Sequence, residues 1–161
     1  MTFDENSQLM DKVHGTGFHF EQDTRFDSTD SEGKSQGDSQ VMLVTVNGAA
    51  MSHVGSTMIV AEDGLVPIAG AQSTVTYDSL KADPGVPWVN LLKDRFATQF
   101  AGKAKTIMIR SQNGTPIAVY AGNDVRPYAT EVPKSTWFRI DGKMLLVYRA
   151  DYTTYDNTLL G

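Results

Sequence analysis

Three dipeptides constrain this chain more than any other feature: Asn47-Gly48, Asn113-Gly114 and Asp141-Gly142. Each lies between two apolar runs. Asn-Gly and Asp-Gly tolerate the positive φ that both central residues of a two-residue hairpin turn require. The runs flanking them, 40–46 with 49–61, 106–111 with 116–121, and 136–140 with 143–149, are therefore expected to pair as three antiparallel hairpins. Their spacing follows no fixed period, so no internal repeat is expected. The expected fold is mainly β: an antiparallel sandwich or partly open barrel with one amphipathic helix, with an α+β arrangement as the alternative.

The helix is expected near 87–101, running directly into the second hairpin. Trp88, Leu92, Phe96 and Phe100 recur every four residues, with Val89 and Leu91 beside them, giving one broad apolar stripe. Asp83-Pro84 precedes it as a start signal, and Gly102 followed by Lys103 supplies the stop. The rest of the chain reads as further strands. Residues 1–15 are expected to be a flexible N-terminal segment, with Leu9, Met10 and Val13 making at most one helical turn, and 16–161 a single β-rich domain. Phe18 and Phe20 alternate with His19 and Glu21, as in a half-buried strand. Gly55 suggests a bulge within 49–61, 65–68 another edge, and 73–77 one more strand. Residues 125–132, interrupted by Pro127, read as irregular, and 150–161 as a final edge strand.

Chemistry is harder to find. No cysteine is present, which excludes disulfides, thiol catalysis and thiolate-bound metals in this chain. His14, His19 and His53 lack a ligand spacing, so no metal site is expected. The acidic loop 26–40 resembles a calcium loop only superficially. With Gly33 at the glycine position, Ser39 stands where a bidentate glutamate is needed. Ser56 has no G-x-S-x-G frame. Glu62, Asp63, Asp78, Asp124 and Glu131 are free to meet as a carboxylate pair, yet no spacing favours any two of them. No cofactor or catalytic residue is assigned.

The net charge of −5 conceals an uneven distribution. Residues 1–80 hold three basic and twelve acidic side chains, and 81–161 eleven basic and seven acidic. Arg110, Arg126, Lys134, Arg139, Lys143 and Arg149 are candidates for a basic face meeting an anionic polymer or membrane surface. Nucleic acid is not expected, since the chain is acidic overall and carries no basic run or recognition motif. Aromatic residues crowd the last part of the chain. Trp137, Arg139, Arg149, Tyr152 and Tyr155 form the candidate ligand surface, although packing is the commoner use of such residues.

The segments HVGSTMIVAEDGLVP, IRSQNGTPIAVYAG and FRIDGKMLLVYRADYTTYDNTLL resemble a family of uncharacterised surface lipoproteins of Gram-positive bacteria, grouped as a domain of unknown function. The resemblance covers roughly residues 41–160. It implies an extracytoplasmic domain, anchored to the membrane by a lipid-bearing cysteine preceding it, that binds or scaffolds at the cell envelope. A cell-wall polymer or an envelope protein would be its partner. Neither a signal peptide nor such a cysteine stands in this sequence, which fits a trimmed ectodomain. The rivals are a wall-directed hydrolase using acidic residues and a cytosolic structural domain. The family offers no catalytic residues to transfer.

Overall fold

The computed structural model describes residues 1–70, 73, 94 and 97–160. Three antiparallel sheets stack in layers. The central sheet has six strands in the order β10 (Val125–Ala129), β11 (Ser135–Ile140), β12 (Lys143–Tyr148), β6 (Thr57–Ala61), β1 (Thr2–Phe3) and β2 (Leu9–Asp11). On one side lies a four-stranded sheet, β13 (Asp151–Asp156), β8 (Lys105–Arg110), β9 (Pro116–Gly122) and β7 (Ala69–Gly70). On the other lies a three-stranded sheet, β3 (Phe18–Gln22), β4 (Val41–Val46) and β5 (Ala49–Val54).

The apolar pattern follows from this layering. Side chains alternate across a strand, so the central sheet sends Ile59, Phe138, Leu145 and Val147 toward Ile107, Ile109, Ile117 and Tyr120 of the four-stranded sheet. It sends Met58 and Tyr148 toward Met42 and Val44 of the three-stranded sheet. A strand covered on both faces needs no polar positions, hence the continuous runs TMIVA and MLLVY. The outer face of the four-stranded sheet is covered in turn. Met108 and Val119 pack with Phe100 of a short helix, α1 (Ala97–Phe100), and with Leu160 of the closing 3-10 turn Asn157–Leu160. Asp94 is also helical, but the rest of the expected helix, including Trp88, Leu92 and Phe96, lies outside the described residues.

The fold is mainly β and antiparallel, and none of the three sheets closes on itself, so it is sandwich-like rather than a barrel. All three hairpins form. Asn47 and Gly48, and Asp141 and Gly142, have positive φ throughout, as a two-residue primed turn requires. The Asn113-Gly114 connection differs. Ser111 N–H donates to the Thr115 carbonyl (2.7 Å), Gly114 N–H donates to the Ser111 carbonyl (2.9 Å), and the register shifts at Ile109/Arg110. The longer loop is held by Asn113 Oδ1, which accepts from Thr115 N–H (3.0 Å).

Several expectations give way to tertiary pairing. Residues 1–11 are not a loose segment with a helical turn: β1 pairs with both β2 and β6, and Phe3 is a core residue with 2% exposure. Residues 49–61 are not one bulged strand, because Gly55, at φ 92°, turns a corner between β5 and β6, which belong to different sheets. Residues 125–129 form a regular strand, with Pro127 tolerated because β10 is an edge. No strand forms at 65–68, and the expected strand at 73–77 lies outside the described residues apart from Ser73. The acidic loop orders itself without an apolar core. Asp30 Oδ1 accepts from the N–H groups of Glu32 and Lys34, and Thr29 bridges to Ser35. The last strand, β13, takes the edge of the four-stranded sheet beside β8, as expected of 150–161.

Candidate functional site: a cleft between two sheets

A cleft of about 800 Å³ separates the central sheet from the three-stranded sheet. Met58, Val60, Trp137 and Met144 form its floor; Phe18, Val44, Val46 and Met51 form its roof. Strand alternation places them there: Phe18 is paired with Val46, and Val44 with Met51, so these four share one face of the roof. The Phe18 ring meets Trp137 edge to face, with centroids 6.1 Å apart, joining roof to floor.

Two side walls complete the cleft. One is the segment 11–17, held by Asn47, whose Oδ1 accepts from Thr16 N–H (2.7 Å), Thr16 Oγ1 (3.0 Å) and Gly17 N–H (3.3 Å). Gly15 fits there for steric reasons, since a Cβ would stand 2.3 Å from Val46 Cγ1. The other is the segment 62–66. Glu62 exchanges bonds with Met144: its N–H donates to the Met144 carbonyl, and its Oε2 accepts from Met144 N–H, each at 2.9 Å. Lys143 Nζ donates to the Asp63 carbonyl at 2.6 Å.

The aromatic and basic residues singled out in the sequence do not form one surface. Trp137 lines the cleft, and Arg139 projects from the same face of β11 two residues along. Tyr152 lies on the opposite side of the central sheet, where its ring packs edge to face on Phe138 (4.9 Å) and its hydroxyl pairs with Thr136 Oγ1 (3.0 Å). Tyr155 faces outward from the four-stranded sheet into the cluster around Met108, and its hydroxyl accepts from Arg110 Nη2 (3.3 Å). Arg149 occupies the β12–β13 corner at φ 52°. Its carbonyl accepts from Thr57 Oγ1 (2.7 Å) and Gln112 Nε2 (3.2 Å), and its buried Nε has no hydrogen-bond partner among the described residues. Alternation along β11 and assignment of β13 to another sheet divide the set.

The remaining candidates are dispersed. His14 lines the cleft wall, His19 stands 3.4 Å from Glu21, and His53 is buried with Nε2 2.9 Å from the Ser56 carbonyl. Among the described residues no cluster of three or more histidines and acids is placed to hold a metal. Glu62 and Asp63 border the cleft, whereas Asp124 accepts from Arg126 Nε (2.7 Å) in the connection from β9 to β10. Asp78 lies outside the described residues. The backbone N–H groups of Asp124 and Asn123, each 2.8 Å from Asp141 Oδ1, hold the Asp141 carboxyl below the usual range, with a smaller contribution from Lys103. Among the described residues, no helix is long and apolar enough to cross a membrane.

Sequence reasoning missed the cleft itself. The alternation of Phe18 and Phe20 showed that β3 has an apolar face, but nothing local showed that its partner would be Trp137. No curated protein and no solved structure matches the chain. A family model described as "Domain of unknown function (DUF5052)" matches residues 1–160, taking in β1 to β3 as well as the stretch after residue 41. By that match over nearly its whole length, the chain belongs to the DUF5052 family of domains of unknown function.

Proposed function

We propose that this domain is a binding module that takes an apolar ligand segment into the cleft between its central and three-stranded sheets. The observation that carries this reading is the cleft: a concave space of about 800 Å³ with methionine, valine and aromatic side chains on its floor and roof, and with polar and charged ones, Asp11, Lys12, His14, Glu62 and Asp63, on its walls. Ligand sites have this size and this apolar character. Methionine adapts to ligands of differing outline. The setting we propose is the outer face of a Gram-positive membrane, with the domain anchored as a lipoprotein. The resemblance of the three quoted segments to such surface proteins supports it, and the lack of cysteine is compatible with it.

The test is thermal denaturation of the domain against acyl amphiphiles, wall glycans, teichoic-acid fragments and apolar peptides. A ligand at a hundred times its dissociation constant stabilises by about 2.7 kcal/mol, which is readily measured. Met51→Trp, which fills the cleft from the roof edge, is expected to abolish the shift. A shift that survives this substitution would place binding elsewhere. The setting has its own test: protease added to intact cells should degrade the full-length protein, and protection would count against an outer-face location.

A further inference from the structure

We infer that the cleft's occupant is an anionic single-chain amphiphile, with its alkyl chain between the sheets and its head group on Arg139. This rests on the cleft reading above. The interior suits an unbranched chain: Met51, Met58, Met144, Val44, Val46 and Val60 offer flexible or aliphatic contacts and no side-chain hydrogen-bonding group.

The head group is specified by the floor beside the cleft. Residues directly opposite one another in an antiparallel pair share a face. Tyr128 is opposite Trp137, Arg126 is opposite Arg139, and Arg139 is opposite Met144. Trp137 and Met144 line the cleft, so this face continues from it as a shelf bearing an aromatic ring, 44% exposed Tyr128, and two guanidinium groups. Two like charges directly across a strand pair repel. Arg126 is neutralised by Asp124 at 2.7 Å, whereas Arg139 has no ion pair among the described residues. Arg139 is therefore the guanidinium of the shelf that an anion would compensate.

The acids on the cleft walls accept only from neutral donors and keep their charge, which turns an anionic head group away from the walls and toward the shelf. Asp11 Oδ2 accepts from Thr2 Oγ1 (3.0 Å), Glu62 Oε2 from Met144 N–H (2.9 Å) and Asp63 Oδ1 from Gly64 N–H (3.1 Å). Lys12, on the far wall, is a lysine of the cleft lining without a carboxylate partner among the described residues. It lacks the aromatic shelf and serves as the control.

The experiment compares three twelve-carbon probes below their micelle concentrations: dodecyl phosphate, dodecyl maltoside and dodecyltrimethylammonium. Calorimetry on the wild-type domain is expected to show dodecyl phosphate bound about tenfold more tightly than the maltoside, and the cation weakest. Arg139→Gln should remove that preference and leave maltoside binding intact. Lys12→Gln should leave the preference in place. Equal binding of all three probes would overturn the anionic head group while sparing the apolar cleft. A preference that survives Arg139→Gln, or is lost in Lys12→Gln, would overturn the assignment to Arg139. Failure of all three probes would remove the cleft reading and this inference together. Phosphatidylglycerol vesicles that retain the protein when monomeric dodecyl phosphate does not would also overturn it, by marking a membrane-surface contact.

Discussion

The two faces of the central sheet are built from different materials. Where it meets the four-stranded sheet, its Ile59, Phe138 and Leu145 pack on that sheet's Ile107, Ile109 and Ile117, every one of the six without measurable exposure. Where it meets the three-stranded sheet, its Met58 is buried with that sheet's Met42 and Val44, while its Val60, Trp137 and Met144 and the opposing Phe18 and Met51 remain half-buried around the cleft. Branched side chains with few rotamers pack the first face. Unbranched methionines and ring edges line the second. One sheet thus has a closely packed side and an adaptable one, so stability and the shape of the cleft can be altered separately.

The hardest test of that contrast is Phe138→Ala. It should destabilise the domain by about 3–5 kcal/mol in urea denaturation, as truncation of a fully buried aromatic does. A loss below about 1 kcal/mol would mean that the two faces do not differ in kind. Asn47→Ala comes next. Removing an acceptor of three bonds at a residue with φ 53° should cost about 1–2 kcal/mol and speed hydrogen exchange at Thr16 and Gly17 on the cleft wall, leaving the isoleucine face protected. Exchange that rises equally on both faces would contradict the separation.

Met51→Ala should cost about 1 kcal/mol or less, because its side chain is half-buried beside open space, yet it should weaken binding of an alkyl probe. Equal losses in stability and binding would erase the distinction. The smallest effect concerns Asp141, which ties the β11–β12 hairpin to the turn after β9 on the closed side. Its carboxyl titrates below its unfolded value, so its contribution is fully present above about pH 4 and is lost as pH falls through the lower folded value. Asp141→Asn should therefore narrow the stability gap from wild type between about pH 5 and pH 3, by under about 1 kcal/mol because the group is partly exposed. A gap that is constant with pH would show that charge at this position is immaterial.

These contrasts were only partly legible in the sequence. Asn47-Gly48 and Asp141-Gly142 encode their turns locally, so both hairpins could be read directly. The adjacency of Trp137 and Phe138 required them to face opposite sides, and Phe138 is indeed the core residue, but which ring faced a cleft depended on what packed above it. The β1 strand shows the limit. Two residues have no period, and Phe3 becomes core only because β1 is held against β6 by pairing with Thr57 and Met58 far along the chain. The change of sheet at Gly55 was invisible for a similar reason. Glycine marks an interruption, and the position of the other strands decides whether it becomes a bulge or a corner.

That corner has a wider consequence. The whole three-stranded sheet is contributed by one uninterrupted stretch, Phe18 to Val54, which departs after β2 and returns at β6, two positions away in the same sheet. Such a stretch is a cassette whose attachment points lie close together, the arrangement in which segments are most readily exchanged without rethreading the remainder. Replacing this cassette alone would alter the bore of the cleft and leave the central and four-stranded sheets threaded as they are.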